Sequence, residues 1–381
     1  MIQIINISRE EQMIKDTLEE LLENADVKLD GKRKWDVSVN NDKLYARLIS
    51  GGSLALGESY MDGWWDCQAI DEMIYRLLKA NLDKKVKSKK AVWNYLKAKF
   101  INQQRQSKAY EIGQRHYDIG NNLYKMMLDK GMNYSCGYWK NAENLDQAQE
   151  DKLDLICRKL KLKPGLEILD IGCGWGGFAN YAAENYGVNV IGITVSKEQV
   201  KLAKELCDKD KIEIKLQDYR KVDEKFDRIV SIGMIEHVGY KNYRKFMKVS
   251  NKCLKENGIF LLHTIGGNTS IKSGEPWTSK YIFPNSMLPS AKQLATAWEG
   301  IFQLEDWHNF GKYYDPTLMA WHKNFNDNWK KIKDNYDERF RRMWNYYLLS
   351  SAGSFRARKN QLWQIVLTKI ESEMKYKRIT E

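Results

Sequence analysis

Four glycines in the stretch ILDIGCGWGGFA, residues 168–179, lie between a predicted buried strand and a predicted helix, and three of them have a spacing that suggests a ligand site. Gly172, Gly174 and Gly177 have G-x-G-x-x-G spacing, which lets a backbone approach a nucleotide-like ligand closely. The spacing alone is a weak signal, since it also occurs in turns that hold different adenosyl ligands or none. The residues around the turn must therefore decide which ligand it binds.

The neighbouring positions favour S-adenosylmethionine over a dinucleotide. A dinucleotide site has an acidic residue at the end of the second strand that binds the ribose hydroxyls. Here that strand runs into residues 192–196 without a carboxylate. Asp170 would repel a pyrophosphate, whereas its charge suits the sulfonium and amino cations of S-adenosylmethionine. An NAD-binding oxidoreductase and a purely structural turn are the alternatives at this point.

Further positions fit the same cofactor. Glycine at 172 and 174 leaves room for the methionine arm. Thr194 and Gln199 are predicted to contact the ribose in place of the missing acid. Asp218 follows the third strand and is predicted to accept a hydrogen bond from the adenine amino group.

Methyl transfer from a sulfonium requires in-line approach of an electron-rich substrate and exclusion of water, and it needs no protein nucleophile. Glu236 and His237 follow the fourth predicted strand, and His263 closes the fifth. We expect His263 to meet the methyl group and His237 to be a hydrogen-bonded core residue. Residues 132–139, MNYSCGYW, are placed to form a lid over the cofactor, although the residue type alone favours a small buried hydrophobe for Cys136.

The elements that must position these residues alternate along the chain after about residue 109. The predicted strands are Glu167–Ile171, Asn189–Ile193, Ile212–Gln217, Phe226–Ile232 and Gly258–Thr264. Strands separated by helical stretches are typical of a doubly wound, mostly parallel sheet, which binds ligands at the carboxyl ends of its strands. We therefore expect an α/β, Rossmann-like class I methyltransferase domain at residues 106–381, preceded by a smaller, mainly helical domain at residues 1–105.

The N-terminal part contains amphipathic helical patterns at residues 9–25 and 71–82, whereas residues 40–67 show no clear period. The net charge of +12 is concentrated in residues 84–108, which carry nine cations and no acid. The apolar residues of that stretch recur at helical spacing. This pattern is typical of a helix lying in an anionic bilayer surface, and a solvated interdomain helix is the alternative. RNA binding ranks lowest, because no nucleic-acid-binding module accompanies the stretch.

The cysteines and the apolar runs exclude several protein classes. The six cysteines lie far apart, without a C-x-x-C pair or a histidine at zinc-finger spacing, so we expect reduced thiols and no metal site. The first residues lack a basic region followed by a long apolar stretch, and no run approaches 18 apolar residues. We therefore expect a cytoplasmic protein that is soluble or lies on a membrane surface and does not span the membrane.

At these motifs the chain resembles the cyclopropane fatty acid synthases, S-adenosylmethionine-dependent enzymes that methylenate cis double bonds in phospholipid acyl chains. The matching segments are GSLALGESYMDGWWDC, MNYSCGYWK, LDIGCGWGGFANY, SIGMIEHVG, LLHTIGG, KYIFPN, EDWHNFGKYYDPTLMAW and AGSFRARKNQLWQ. They extend over most of the chain, and the set is far more specific than the glycine turn alone.

The resemblance implies a mechanism and a set of site residues. The donor methyl adds to the alkene, and the resulting carbocation loses a proton to a bound bicarbonate as the ring closes. The residues that match the catalytic, bicarbonate-binding set are Cys136, Glu236, His263 and Tyr314, with the backbone near Ile265 as a further contact. The residues that match cofactor contacts are Tyr134, Ser135, Gly172, Gly174, Thr194, Gln199, Asp218 and Tyr219.

The resemblance also implies a homodimer whose first domain brings the active site to unsaturated phospholipids at the inner face of the membrane, with no nucleic-acid partner. A methyltransferase acting on RNA or a small amine, and a non-enzymatic basic adaptor, are the alternative functions.

Overall fold

The computed structural model describes residues 9–81 and 120–379. The basic stretch predicted as a surface helix, residues 84–108, lies outside the described residues. So does the predicted domain boundary between residues 105 and 106.

The N-terminal elements are three helices and a two-stranded ribbon. They are Arg9–Glu23 (α1), Ser38–Val39 (β1), Leu44–Met61 (α2), Trp65–Asp66 (β2) and Ile70–Lys79 (α3). The helices predicted at residues 9–25 and 71–82 are thus confirmed. The stretch without a clear period contains α2, in which Gly52 has non-helical dihedral angles (φ 55°, ψ −135°). This kink changes the direction of the helix, so the two halves do not share one periodic apolar face.

A seven-stranded sheet forms the centre of the remaining chain. Its strands are Glu167–Ile171 (β3), Asn189–Thr194 (β4), Ile212–Leu216 (β5), Phe226–Ile232 (β6), Leu254–Gly267 (β7), Phe302–Asn309 (β8) and Asn360–Lys369 (β9). The order is β5-β4-β3-β6-β7-β9-β8. The first five pair in parallel, whereas β9 pairs antiparallel with both β7 and β8. The predicted α/β fold and all five predicted strands are confirmed.

Strands β8 and β9 were not predicted from the sequence. Strand β9 lies between two other strands and is buried along nearly its whole length, so it lacks the polar and apolar alternation of a half-exposed strand. Its pairing also extends β7 to Gly267, three residues beyond the predicted end at Thr264. His263 is therefore inside β7, although it remains the last residue of β7 that pairs in parallel with β6.

Helices cover the sheet and connect its strands. They are Asn121–Met127 (α4), Leu145–Lys159 (α5), Gly177–Tyr186 (α6), Lys197–Leu206 (α7), Tyr243–Cys253 (α8), Pro276–Tyr281 (α9), Ala291–Trp298 (α10), Tyr314–Asp327 (α11), Trp329–Ile332 (α12) and Glu338–Arg356 (α13). No helix in residues 9–81 and 120–379 combines the length and the apolar character that crossing a bilayer requires.

The N-terminal helices share a hydrophobic cluster with the helices that lie between β8 and β9 in the chain. Gly353 of α13 allows this close packing, because a Cβ atom there would lie 2.4 Å from the carbonyl oxygen of Asp71 in α3. One turn of α13 further on, the Arg356 guanidinium binds Asp71 at 2.8 Å and Asp315 of α11 at 2.9 Å. The ends of α3, α11 and α13 are thus joined by one side chain.

Candidate active site

A cleft lies at the carboxyl ends of β3, β4, β5 and β6, where a parallel sheet binds its ligands. It encloses about 1290 Å³ of empty space, part of which is open to solvent. Its walls come from the glycine turn after β3, the ends of the next strands and residues 132–135. The size and the mixed polar and apolar walls suit a ligand as large as S-adenosylmethionine.

All the residues that the sequence predicts for the cofactor line this one cleft. They are Tyr134, Ser135, Asp170, Gly172, Gly174, Thr194, Gln199, Asp218 and Tyr219. The structure therefore brings together positions that are up to 85 residues apart in the sequence. Their individual contacts with a cofactor stay predictions.

The glycine turn depends on the absence of side chains. Gly172 has a φ of +86°, and a Cβ atom there would lie 2.8 Å from the Met234 side chain. A Cβ atom on Gly177, the first residue of α6, would lie 2.4 Å from the carbonyl oxygen of Gly131. The turn is held to the next strand, because the N–H groups of Gly172 and Cys173 both donate to the Ile193 carbonyl at 2.9 and 3.1 Å.

Asp170 is the buried carboxyl group beside this turn, with 1% of its surface exposed. Burial raises its pKa to about 7, and the positive charge of Lys152 opposes that rise. A cationic ligand in the cleft would stabilise the ionised form of Asp170 further, as predicted for the sulfonium and amino groups of the cofactor.

Thr194 and Gln199 lie next to each other at the end of β4 and the start of α7. The Thr194 hydroxyl donates to Oε1 of Gln199 at 2.7 Å, while Ser196 caps α7 by accepting from the Gln199 N–H at 3.3 Å. This arrangement fixes the Gln199 side chain and leaves its NH2 group as a donor for ribose hydroxyls.

Asp218 is held by a residue that the sequence analysis did not identify. It accepts hydrogen bonds from the Arg220 N–H and Nε at 2.9 and 2.8 Å, and Arg220 Nη2 also bonds to it. Arg220 lines the cleft as well. The predicted contact with the adenine amino group therefore uses a carboxylate that is already oriented and charge-compensated.

The four predicted catalytic residues do not line this cleft. Cys136, Glu236, His263 and Tyr314 are all buried. Tyr314 is close enough to Cys136 and Glu236 for both to influence its pKa. Glu236 accepts a hydrogen bond at 2.7 Å from the backbone N–H of Ile265, two residues after His263. That N–H is therefore already used, so any ligand contact at Ile265 has to share it.

Two of these side chains have buried polar atoms without partners. Oε2 of Glu236 and Nε2 of His263 make no hydrogen bond. Burying such atoms without partners costs free energy, which a small polar ligand that bonds to both would recover. One protonated oxyanion, such as bicarbonate, offers a donor to the carboxylate and an acceptor to the imidazole, so the residues present fit that ligand.

The charge states of this group follow from burial. Burial raises the pKa of Glu236 to about 7 and holds the pKa of His263 well below its ordinary value. Nε2 of Gln364 lies 3.4 Å from Nδ1 of His263. Gln364 and His263 can therefore share one hydrogen bond at Nδ1, whereas Nε2 of the imidazole has no partner in the described ranges.

Cys136 and Tyr314 are neutral for the same reason, since burial raises the pKa of the thiol and of the phenol well above their ordinary values. The Tyr314 ring stacks on Phe355 with the centroids 4.4 Å apart. The Cys136 thiol lies 3.8 Å from the hydroxyl of Thr317, which is on the same helix as Tyr314. Both groups are thus hydrogen-bonding groups rather than anionic nucleophiles.

The predicted lid is a wall held in place by helix α5. Gln149 donates to the Ser135 carbonyl at 2.7 Å, and Lys152 Nζ lies 3.0 Å from the Ser135 hydroxyl. Tyr138 extends this attachment, because its N–H donates to the Ala148 carbonyl at 2.7 Å. Residues 132–138 thus connect the cofactor cleft with the buried group around Cys136.

Two further cleft residues were missed or misjudged from the sequence. His237 was expected in the core but lines the cleft, where burial lowers its pKa to about 4. Lys152 also lines the cleft and was not identified at all. It lies in a helical stretch with many charged residues of both signs, which is typical of a solvated face, so only the packing of α5 distinguishes it. For His237, the adjacent Glu236, which the sequence analysis predicts to be catalytic, was a sign that the histidine lies near the site.

Comparisons with known proteins place the chain among lipid-modifying enzymes. The family model described as mycolic acid cyclopropane synthetase matches residues 104–365. The cyclopropane-fatty-acyl-phospholipid synthase of Escherichia coli K12 is 50% identical over 351 residues, which cover 92% of each chain. The solved cyclopropane synthase MmaA2 of Mycobacterium tuberculosis has a TM-score of 0.64 at 29% identity, covering 68% of this chain and 98% of its own.

A second solved structure, mycolic acid cyclopropane synthase CmaA1 in complex with S-adenosylhomocysteine and CTAB, has a TM-score of 0.63 at 31% identity. It covers 68% of this chain and 98% of its own. The fold of the sheet and its cleft is therefore that of S-adenosylmethionine-dependent methyltransferases.

Gly172→Ala should weaken S-adenosylhomocysteine binding by at least about tenfold, because the added methyl group clashes with Met234 and displaces the turn. Titration calorimetry measures the effect. Gly165→Ala is the matched control, since Gly165 has a similar φ of +83°, but a Cβ atom there would have no neighbour within 4 Å, and it lies outside the cleft. Equal loss of affinity in both variants would mean that backbone strain, and not the shape of the turn, is responsible.

Glu236→Gln should change how stability depends on pH. The folded carboxyl has a pKa of about 7 against an ordinary 4.5, so its contribution to stability is complete below pH 4.5 and is lost as the pH rises through 7. Glutamine does not ionise, so the variant should gain about 2 kcal/mol relative to the parent protein between pH 5 and pH 8. Denaturant unfolding at both pH values measures this difference. If variant and parent differ in unfolding free energy by the same amount at pH 5 and at pH 8, the folded carboxylate has an ionic partner that lowers its pKa.

Proposed function

The chain belongs to the mycolic acid cyclopropane synthetase family, and we propose that it is a cyclopropane-forming enzyme of phospholipids. The reaction joins the methyl carbon of S-adenosylmethionine to a cis double bond of an unsaturated acyl chain, with loss of one proton as the ring closes. The observation that carries the proposal is 50% identity over 92% of both chains with a cyclopropane-fatty-acyl-phospholipid synthase.

When bound, S-adenosylmethionine supplies an electrophilic methyl group and bicarbonate supplies a base. The protein's part begins with the cleft, whose glycine turn and Asp170 would hold the adenosyl ligand with its positive charge near a buried carboxylate. Thr194, Gln199 and Asp218 would bind its ribose and adenine. The wall at Tyr134 and Ser135 excludes water from the reacting groups.

Glu236, His263, Tyr314 and Cys136 would hold the bicarbonate. Glu236 Oε2 and His263 Nε2, which have no partner among the described residues, would bond to it, and the Tyr314 hydroxyl would be a further donor. Burial keeps the Cys136 thiol and the Tyr314 phenol protonated, so neither is an anion that a carbocation would alkylate. The bound ligand, and not a side chain, would therefore supply the base.

Aromatic faces surround the point where the wall meets the cleft. The ring of Tyr134 has its centroid 5.2 Å from that of Tyr124 and 5.1 Å from that of Trp321. The Tyr134 hydroxyl is 2.9 Å from that of Tyr347. Tyr134 lines the cleft, so its π face would attract a cationic intermediate without forming a bond to it. Tyr124 and Trp321 are fully buried and support the Tyr134 ring from behind.

We also propose that the enzyme works at a membrane surface. Residues 1–105 would form an accessory domain that brings the catalytic part, residues 106–381, to an anionic bilayer surface at the inner face of the membrane. The nine cations of residues 84–108 support this role. A homodimer belongs to the same proposal.

The direct test is incubation of the protein with methyl-labelled S-adenosylmethionine and vesicles of monounsaturated phospholipid. Mass spectrometry should find acyl chains that have gained one CH2 unit and that resist hydrogenation as cyclopropanes do. Absence of this product would refute the proposal. Transfer of label to RNA or to a small amine without lipid would identify the alternative substrate.

Glu236→Gln and His263→Ala should each lower turnover at least about a hundredfold, because they remove the groups that hold the base. Calorimetry should show S-adenosylhomocysteine affinity within about threefold of the parent value, since neither residue lines the cleft. His322→Ala is the control for loss of an imidazole, since His322 belongs to neither group. If cofactor affinity falls together with turnover, these residues act on the cleft and not on the base.

Replacing Lys84, Lys85, Lys87, Lys89 and Lys90 with glutamine should abolish salt-sensitive binding to anionic vesicles. Each cation near such a surface contributes about 1 kcal/mol. Flotation with phosphatidylglycerol vesicles at low and high salt measures binding, and neutral phosphatidylcholine vesicles are the control. Unchanged binding to anionic vesicles would show that another surface contacts the bilayer.

A further inference from the structure

Lys152 is an unusual side chain for the wall of a ligand cleft. It lies on α5, is fully buried and lines the cleft beside Asp170. Burial lowers its pKa to about 8, which leaves it mostly charged at neutral pH. A buried ammonium is costly unless an anion or several acceptors compensate it.

The contacts of Lys152 within the protein compensate the buried charge of its ammonium group only in part. Its Nζ atom lies 3.0 Å from the Ser135 hydroxyl and 3.5 Å from Oδ1 of Asn133. Within the described part of the chain, it forms no ion pair at 4.0 Å or less. An ammonium group has three donors, so one donor lacks an acceptor.

The other charged groups of the cleft differ in this respect. Arg220 is bonded to Asp218, so this cation and this anion compensate each other. Asp129 is close enough to influence Lys152, but its oxygens accept hydrogen bonds from the backbone and side chain of Asn133 and from the Gly131 N–H. Lys152 and Asp170 are thus the cation and the anion that the protein leaves for a ligand.

One buried cation and one buried anion on the walls of the same cleft match a zwitterion. S-Adenosylmethionine carries such a group, because its methionine part has an amino group and a carboxylate on one carbon atom. We propose that Lys152 binds the carboxylate of the methionine part, while Asp170 faces the amino group. The assignment rests on the adenosyl cofactor of the proposed function, and it does not depend on the lipid substrate.

The same contact would connect the cofactor with the base site. Ser135, which Lys152 holds, precedes Cys136 in the chain, and Gln149 holds the Ser135 carbonyl at 2.7 Å. A carboxylate on Lys152 would therefore strengthen the attachment of the wall that carries Cys136.

The test compares two ligands that differ only in the carboxylate, S-adenosylmethionine and its decarboxylated form. The parent protein should bind the complete ligand at least about tenfold more tightly, because a charge-assisted hydrogen bond is lost with the carboxylate. Lys152→Met keeps the volume of the side chain and removes its charge. In this variant the preference should fall to less than about twofold, and Lys152→Arg should restore part of it.

Lys159→Met is the matched control. Lys159 is the other fully buried lysine of α5, but it pairs with Asp306 at 3.4 Å and lies outside the cleft. This variant should keep the parent's preference between the two ligands even if its stability falls. Circular dichroism of each variant shows whether it is folded before the titrations.

Three outcomes would overturn the assignment. An equal loss of affinity for both ligands in Lys152→Met would make Lys152 only a support for the wall. An unchanged preference in that variant would place the carboxylate on another group, and a parent protein without any preference would mean that the carboxylate is not bound. If the parent protein binds neither ligand, the cofactor assignment itself fails, which calorimetry distinguishes from the other results.

Discussion

The cost of burying ionisable groups governs the whole site. Asp170, Lys152, Glu236 and His263 are all buried. Within the part of the chain that the structure describes, Glu236 Oε2 and His263 Nε2 have no partner, and Lys152 has two acceptors for its three donors. Burial of this kind raises the pKa of the acids and lowers that of the bases, so the free protein holds these groups in unfavourable states. Ligands of complementary charge relieve that cost, and part of the folding free energy is thereby exchanged for binding and orientation of the reacting groups.

Two kinds of element place these groups. The parallel strands bring the glycine turn and Asp170 to one edge of the sheet, and the antiparallel strand β9 adds Gln364 beside His263. This neighbour lies within hydrogen-bonding distance of Nδ1, whereas Nε2 has no partner in the described residues. Helix α5 then fixes the wall from outside through Gln149 and Lys152. The cofactor cleft and the base site are thus separate in their walls but share the segment at residues 132–138.

The N-terminal helices contribute to the same arrangement from a distance. They pack on α13, whose Arg356 binds both Asp71 of α3 and Asp315 next to Tyr314. The position of α11, and with it the Tyr314 side chain, therefore depends on contacts with the N-terminal part. A change in the packing of α3 would therefore displace Arg356 and, through it, the start of α11 beside Tyr314. Charged hydrogen bonds of this kind contribute about 1.5–3 kcal/mol each.

The five parallel strands, the glycine turn and the cofactor positions at the ends of β3, β4 and β5 could be predicted from the sequence, because apolar runs and glycine spacing encode them locally. Tyr134, Ser135 and Tyr219 were predicted only from the family resemblance. The tertiary structure was needed to show that Lys152 and His237 line the cleft, that Arg220 orients Asp218, and that Gln364 lies beside His263. Each depends on packing between elements distant in the sequence, because the same charged side chain is solvated on one helix and buried against a ligand on another.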